Sequence, residues 1–293
     1  MAAIIIDGKA VAAKKRNEVR EQVSRLKKRG INPCLAVVLV GENPASLTYV
    51  KAKQKALAEA GMEGKDIRLP ETTSEEELLS IIESLNSDAT VHGILVQRPL
   101  PASIREELIL SALDPRKDVD CFHPLSMGKL IQGQHGLPPC TPQGIVVLLS
   151  EYKIPVSGSH VVIVGRSNIV GRPLAVLLTL RELNATVTLC HTGTIDLVSH
   201  TRRADILIAA AGKPGLIRGN MIKKGAAVID VGINRIPDPS AKKGYRLLGD
   251  VEFDDVLETA GWITPVPGGV GPMTIAMLMR NVAEAAEGMR NEE

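Results

Sequence analysis

The sequence predicts an α/β fold of two domains, each a mainly parallel sheet flanked by helices. Short β-branched runs alternate with helical patterns, and such alternation is typical of parallel sheets with helices on both faces. A length of 293 residues suits two domains. A stretch rich in Pro, Gly and polar residues, 114–142, separates two alternating series, and we place the boundary at Pro138-Pro139. The expected domains are therefore 1–139 and 140–272.

The first alternating series predicts three strands, a buried one at 36–40 and two more at 65–69 and 91–96. Asn43 and Pro44 are typical of a helix N-terminus, and the helix that they begin is expected to stop at Gly61. Ser74 opens a capping-box pattern ahead of another helix at 78–85.

The second series begins with a helix from Thr141 and continues with four strands that alternate with helices. These strands are expected at 161–164, 186–189, 206–210 and 227–231. A helix at 173–183 follows the first of them, and a last apolar helical pattern begins at Met273. Because ligands bind beyond the carboxyl ends of parallel strands, the residues after each strand are the candidates for function.

The composition excludes several classes of protein. A formal net charge of +2 and an aromatic content of 2% argue against a nucleic-acid binder. The four cysteines, Cys34, Cys121, Cys140 and Cys190, form no C-x-x-C pair and no zinc-binding pattern. The N-terminus lacks a signal-peptide pattern, and no apolar run approaches membrane-spanning length. We therefore expect a cytoplasmic protein without metal, membrane or nucleic-acid partners.

A strand that ends at a glycine-rich turn is the most informative local pattern. The β-branched run 161–164 leads to Gly165, and Gly171 then precedes an apolar helical pattern. A buried strand, a glycine turn and a helix N-terminus form a phosphate-binding arrangement, which predicts a Rossmann-type NAD(P)-binding domain. The spacing differs from G-x-G-x-x-G, because Arg166 and Ser167 occupy the turn. From the spacing alone, a tight turn without a ligand stays open as an alternative.

The residues that follow the next strand, 186–189, indicate that the cofactor is NADP and not NAD. An acidic residue usually ends this strand and binds the ribose 2′-hydroxyl. Here no carboxylate follows 186–189 until Asp196, which is better placed to begin the next helix. Arg166, Ser167 and Thr192 can instead supply charge and hydrogen bonds to a 2′-phosphate.

Three residues at the ends of the later strands are expected to let the nicotinamide half of the cofactor approach the backbone. They are Gly212, Gly232 and Ile233. Asp230 and Lys213 lie beside them and are interpreted as ordinary loop residues.

The first domain carries a candidate catalytic set. Tyr49 and Lys53 are one helical turn apart, so they share a helix face. Gln97 follows directly after the last strand of this domain, at a common ligand position. In an extended segment Asp118 and Asp120 point to opposite sides, so one of them can face the crevice. A single lysine on a helix is usually just exposed to solvent. Lys53 is a candidate for catalysis only because Tyr49 precedes it by one turn and Gln97 can lie beside it.

The loop 264–274 combines proline rigidity with glycine freedom. Its plainest interpretation is a connector between domains. Its density of both residue types favours a shaped ligand wall.

In their order along nearly the whole chain, these motifs resemble the bifunctional methylenetetrahydrofolate dehydrogenase/methenyltetrahydrofolate cyclohydrolase family. The matching stretches are 40–46 with Tyr49 and Lys53, 93–97, 117–120, 139–142, 164–173 and 265–274. Each motif is modest alone, and together in this order they are highly specific.

The resemblance implies NADP-dependent oxidation of 5,10-methylenetetrahydrofolate and hydrolysis of the product to 10-formyltetrahydrofolate, in one-carbon metabolism and purine biosynthesis. It implies that Lys53 is central to the hydrolysis and that Gln97 hydrogen-bonds it. It also implies that Tyr49 lies against the folate ring system and that Asp120 binds the pterin. The remaining expected substrate contacts are Val96, Pro267, Gly268, Gly269 and Pro272.

For the assembly, the resemblance implies a folate site between the domains and a homodimer formed through the cofactor domain. It also implies that the C-terminal helix, 273–293, packs back on the first domain. The alternatives are a dehydrogenase-only member and a nucleotide-binding regulatory module without catalysis. The presence of Lys53, Gln97 and Asp120 argues against both.

Three positions depart from the family pattern. Cys121 stands where Gly is usual, Ser126 where Asn is usual, and Arg98 where Leu is common. If the glycine adopts a conformation that cysteine disfavours, the loop that carries Asp120 is expected to shift.

Overall fold

This computed structural model describes residues 3–241 and 244–291, which form two compact units. The six-stranded unit comprises Met1–Ala12 and Thr141–Thr274, and the three-stranded unit comprises Ala13–Cys140 and Ile275–Glu293. Each unit is named for its main sheet. Residues 292–293 of the expected C-terminal helix lie outside the described residues.

Strands and helices alternate along most of the chain as the sequence predicts, apart from three consecutive helices within 106–151 and three consecutive strands within 227–248. The helices are α1 (Gly8–Lys28), α2 (Pro44–Ala60), α3 (Glu75–Ser87), α4 (Glu106–Ala112), α5 (Pro124–Ile131), α6 (Cys140–Glu151), α7 (Gly171–Thr179), α8 (Leu197–Thr201), α9 (Phe253–Leu257) and α10 (Val270–Asn291), with a 3₁₀ turn at Gly219–Met221. The strands are β1 (Ile4–Ile5), β2 (Cys34–Val40), β3 (Glu63–Leu69), β4 (Gly93–Val96), β5 (His160–Val164), β6 (Thr186–Cys190), β7 (Ile206–Ala209), β8 (Ala227–Asp230), β9 (Asn234–Pro237), β10 (Tyr245–Leu248) and β11 (Trp262–Ile263).

The three-stranded unit is built on a parallel sheet in the order β3-β2-β4. Every residue of the central strand β2 is buried, as its continuous apolar run predicts. Helix α3 buries Leu78, Ile82 and Leu85, which recur at helical spacing. Its N-terminus is capped as expected, because the Ser74 hydroxyl accepts the Glu77 N–H at 3.1 Å.

The six-stranded unit has a parallel sheet in the order β1-β11-β8-β7-β5-β6, beside the antiparallel hairpin β9–β10. The prediction of an α/β fold with mainly parallel sheets is therefore confirmed. The N-terminus differs from the expected domain 1–139, because β1 pairs with β11 in this sheet. A strand of two residues carries too little pattern to be recognised in a sequence. Among the described residues, no helix is both long and apolar enough to cross a membrane.

Candidate functional site

The side chains of Lys53 and Gln97 meet at the carboxyl edge of the three-stranded sheet. The half-buried Lys53 lies on α2, and its ammonium donates to Gln97 Oε1 at 2.9 Å. Gln97 follows β4, and its backbone N–H donates to the carbonyl of Val38 at 2.8 Å. The Gln97 amide nitrogen donates to the Arg98 carbonyl at 2.9 Å. Since that nitrogen is engaged, the amide oxygen is held toward Lys53.

The surroundings of Lys53 make it a better proton carrier than an ordinary lysine. Burial lowers the pKa of Lys53, and the charge of the nearby Asp120 opposes part of that effect. A lysine with a lowered pKa can give up and take back a proton closer to neutral pH. Tyr49, one turn earlier on α2, is 40% exposed and leaves its ring open to a ligand.

The two aspartates of the 117–120 motif have different environments. Asp118 is buried, and its carboxylate accepts the N–H groups of Phe122 at 3.1 Å and His123 at 2.8 Å. The Ser126 hydroxyl also hydrogen-bonds this carboxylate. Asp120 is only half-buried. Asp118 therefore holds the loop together, and Asp120 is the one available to a ligand.

The same motif is anchored by a buried lysine. The Lys117 ammonium donates to three backbone carbonyls at the end of α3. They belong to Leu85 at 2.9 Å, Asn86 at 2.7 Å and Asp88 at 2.8 Å. A cation at a helix C-terminus satisfies carbonyls that have no partner within the helix.

The unusual Cys121 takes up a backbone conformation that favours glycine. Its φ is +59°, in the left-handed region, and its side chain is buried. Burial raises the pKa of its thiol to about 12, so it stays protonated at neutral pH. A non-glycine residue in this region costs about 1–2 kcal/mol. The hydrogen bonds to Asp118 hold the loop in place despite that cost.

In the six-stranded unit, the turn 165–171 joins β5 to α7 as predicted. Gly171 must lack a side chain, because a Cβ there would collide with the carbonyl oxygen of Gly165. The exposed Arg166 and Ser167 occupy the turn, and the Ser167 hydroxyl accepts the N–H of Val170 at 3.2 Å. Thr192 is also exposed, just after β6. No carboxylate lies among these residues, so the donor set suits an anion.

A buried aspartate that sequence reasoning missed organises the strand ends near the expected nicotinamide site. The carboxylate of Asp250 accepts the consecutive N–H groups of Ala211 at 2.6 Å and Gly212 at 2.8 Å, and the Asn234 amide at 2.9 Å. Gly232 lies so close to Asp250 that a Cβ there would collide with this carboxylate.

The neighbouring Asp230 is buried like Asp250. It accepts N–H groups from Gly232 and Asp250, both at 2.9 Å, and from Val251 at 3.0 Å. These contacts give Asp230 a structural role, but it is a buried residue at the end of β8 and not the ordinary loop residue that was expected. Ile233, next to Gly232, is 43% exposed. Nothing in the sequence around Asp250 marks it, because the partners of its carboxylate come from two distant segments, 211–212 and 232–234.

The Pro- and Gly-rich loop packs on the start of α1 within the six-stranded unit. The Lys9 N–H donates to the carbonyl of Gly268 at 3.1 Å, and Gly269 donates to Pro265 at 2.8 Å. Gly268 and Gly269 are buried, whereas Pro267 is exposed.

The site residues predicted from the sequence thus fall into two sets. Tyr49, Lys53, Val96, Gln97 and Asp120 belong to the three-stranded unit. The expected cofactor residues belong to the six-stranded unit, as do Pro267, Gly268, Gly269 and Pro272. Within the described ranges, no group of three or more His, Cys, Asp or Glu side chains could hold a metal ion.

Both parts of the chain match domains of one protein family. Residues 6–120 match the catalytic domain of the tetrahydrofolate dehydrogenase/cyclohydrolase family. Residues 139–290 match the NAD(P)-binding domain of the same family.

Whole-chain relatives agree with these matches. The chain is 55% identical over 286 residues to the Bifunctional protein FolD of Moorella thermoacetica, covering 98% of this chain and 99% of that protein. It is 49% identical, with a TM-score of 0.93, to the solved bifunctional FolD of Campylobacter jejuni, covering 98% and 100% of the two chains. The Trypanosoma brucei FolD, solved with NADP cofactor and an inhibitor, is 40% identical with a TM-score of 0.95, covering 99% of both chains.

Proposed function

Since the chain belongs to the tetrahydrofolate dehydrogenase/cyclohydrolase family, we propose that it is a bifunctional enzyme of one-carbon metabolism. It oxidises 5,10-methylenetetrahydrofolate with NADP and hydrolyses the 5,10-methenyltetrahydrofolate to 10-formyltetrahydrofolate. The observation that carries the hydrolytic half is the 2.9 Å hydrogen bond between Lys53 and Gln97. Neither a dehydrogenase alone nor a regulatory module needs a half-buried, oriented lysine beside an aspartate.

The six-stranded unit fits NADP by the chemistry of its donors. The turn at 165–171 offers a helix N-terminus for a pyrophosphate. Arg166, Ser167 and Thr192 are exposed and suit a 2′-phosphate, with no carboxylate among them. Gly212, Gly232 and Ile233 would border the nicotinamide half. When bound, NADP supplies the hydride acceptor for oxidation of the methylene carbon.

The oxidation requires little acid–base chemistry from the protein. The lone pairs of the two folate nitrogens stabilise the cation that forms between them. In the three-stranded unit, Asp120 would accept hydrogen bonds from the amino and ring N–H donors of the pterin. The ring of Tyr49 would stack against the folate, beside Val96. Pro267, Gly268, Gly269 and Pro272 complete the proposed substrate residues.

Hydrolysis is where Lys53 acts. Water adds to the methenyl carbon, and the protonated adduct must lose a proton before one carbon–nitrogen bond breaks. Burial lowers the pKa of Lys53, so its neutral amine is populated at lower pH than for an exposed lysine and can take that proton. The resulting ammonium donates to Gln97 and can return the proton to the departing nitrogen. Gln97 thus holds Lys53 in place through both transfers.

A spectroscopic assay of the purified chain tests the proposal. Methylenetetrahydrofolate is supplied with NADP or with NAD, and the methenyl and formyl products are followed by absorbance. We expect both products, with NADP the better cofactor. Absence of both products with either nucleotide would overturn the enzyme assignment. Methenyl product that is never hydrolysed faster than in buffer would leave only the dehydrogenase.

We also infer a cytoplasmic homodimer that associates through the six-stranded unit. Strand β6 is an edge of that sheet, and Ile195 after it is 89% exposed. Unpaired sheet edges are surfaces that proteins cover. The four cysteines are free and buried, which suits a reducing compartment. Light scattering at micromolar concentration is expected to give twice the chain mass, and the mass of one chain would contradict the dimer.

A further inference from the structure

Asn281 links two backbone segments beside the proposed hydrolytic site. It lies on α10 and is 1% exposed. Its amide nitrogen donates to the carbonyl of Val119 at 2.8 Å and to that of Pro138 at 2.7 Å. Val119 directly precedes Asp120, and all of these residues belong to the three-stranded unit.

Cys140 reinforces the same junction. Its thiol donates to the Val119 carbonyl at 3.3 Å, and the Asp120 carboxylate lies close to the same thiol. The Asn281 amide nitrogen lies 3.5 Å from the Cys140 sulfur. The Val119 carbonyl thus has both of its acceptor positions used, one by an amide and one by a thiol. The backbone that carries Asp120 is held from two sides.

The amide oxygen of Asn281 indicates that this residue contributes through its N–H donors. Among the described residues, its Oδ1 has no hydrogen-bond partner although it is buried. A buried acceptor without a hydrogen-bond partner is destabilising. The rest of the inward face of α10 is apolar, including the fully buried Met277, Met279 and Val282. Packing of the helix therefore does not depend on a polar residue at 281.

We infer that Asn281 is a positioning residue for hydrolysis, which fixes the Val119 backbone and thereby the placement of Asp120 relative to Lys53. The inference rests on the proposed function and extends it to a residue that lies outside every motif identified in the sequence. Asn281 acts through the backbone and does not touch the reacting atoms.

The test compares Asn281→Ala with Arg280→Ala, its neighbour on the same helix. Arg280 pairs along the helix with Glu284 at 2.6 Å, so its loss is a matched control. For Asn281→Ala we expect kcat/KM of methenyltetrahydrofolate hydrolysis to fall on the order of tenfold to a hundredfold, with a higher KM. NADP affinity, measured by fluorescence, should stay unchanged in both variants.

A pH profile separates positioning from mere stability. In the present structure, the charge of Asp120 raises the pKa of Lys53 against the effect of burial. If Asp120 moves away from Lys53 in Asn281→Ala, the pKa of Lys53 falls. The pH at which hydrolysis becomes active then falls as well. An unchanged profile would overturn the inference, whether or not the melting temperature falls. So would hydrolysis equal to that of the unaltered chain.

If Asn281→Ala does not fold, Asn281→Ser takes its place, since a hydroxyl keeps one donor in a smaller volume. It should show the same changes to a smaller degree, and an unchanged profile would again overturn the inference. Failure of the proposed function is distinguishable, because the unaltered chain would then not hydrolyse methenyltetrahydrofolate at all.

Discussion

The ammonium of Lys53 donates to the amide oxygen of Gln97 across 2.9 Å, and the amide nitrogen of Gln97 is already occupied by the Arg98 carbonyl. A rotation of the amide would break both hydrogen bonds at once. The pair is therefore oriented before any substrate arrives, and the protonation of Lys53 is coupled to the residue at 97.

Replacement of Lys53 tests the proton-transfer role directly. Lys53→Met keeps the length and apolar stem but removes the amine, so methenyltetrahydrofolate hydrolysis should fall on the order of a hundredfold or more. The loss is measured as the rate of methenyl absorbance decay. Lys55→Met is the matched control, since Lys55 is exposed and pairs with Glu59 at 3.8 Å. Hydrolysis retained in Lys53→Met would remove this residue from the mechanism.

Gln97→Glu should move the pH dependence of hydrolysis upward. The neutral amine of Lys53 is the active form, so activity rises with pH through the pKa of Lys53, which burial holds below its ordinary value. A carboxylate at 97 stabilises the ammonium and raises that pKa. The pH at which the hydrolysis rate rises should therefore be higher in the variant. The maximal rate, reached at alkaline pH, should change less. An unchanged pH dependence would show that another group controls the profile.

Arg166→Ala should weaken NADP binding much more than NAD binding, by about tenfold or more. Only NADP carries the 2′-phosphate that the exposed guanidinium is proposed to bind. Dissociation constants from fluorescence titration measure the difference. Arg181→Ala, another exposed arginine of the same unit, is the control. An equal loss of affinity for the two nucleotides would mean that Arg166 does not bind the 2′-phosphate.

Asp250→Asn should weaken cofactor binding and lower stability together. One side-chain oxygen of Asp250 accepts two consecutive N–H groups, from Ala211 and Gly212, and the other accepts the Asn234 amide. The variant loses at least one of these acceptors, and a buried unpaired donor costs about 1–3 kcal/mol. Chemical denaturation and NADP titration measure the two effects. Full stability with full NADP affinity would contradict the role assigned to Asp250.

Cys121→Gly should be more stable than Cys121→Ala by about 1 kcal/mol. Both variants lose the buried thiol, but only glycine relieves the left-handed backbone at φ +59°. Thermal melting of the two variants side by side gives the difference. If alanine is tolerated as well as glycine, the backbone at this position is not strained in solution.

The regular parts of this fold are readable from the sequence because their signals are local. The capping box at Ser74, the buried run of β2 and the glycine turn at 165–171 each lie within about a dozen residues. Tyr49 and Lys53 are one turn apart on one helix, and Gln97 follows directly after a strand. The nearness of these three side chains at one edge of the sheet is therefore also predictable from the sequence. The hydrogen bond between Lys53 and Gln97 agrees with that expectation.

The residues that hold the site in place could not be predicted in this way, because their hydrogen-bond partners are distant in the chain. Asn281 contacts Val119, 162 residues away, and Asp250 contacts Ala211, 39 residues away. Asn281 is a polar residue within the predicted C-terminal helix, whose period says nothing of its partners, and Asp250 lies in no periodic or capping pattern. Lys117 was recognised within a motif, but its three carbonyl partners at the end of α3 depend on how the loop folds back. Only packing brings such groups together.

The placement of β1 bears on how this chain is made in the cell. Its sheet partner β11 is Trp262–Ile263, so β1 can pair only after that much later segment has been synthesised. The three-stranded unit is likewise completed only by residues of α10, near the other end. Neither unit is contiguous, and contacts of such high sequence separation form slowly. A chain truncated before residue 262 would therefore lack the closing elements of both units, and loss of its last helix should expose it to proteases during synthesis.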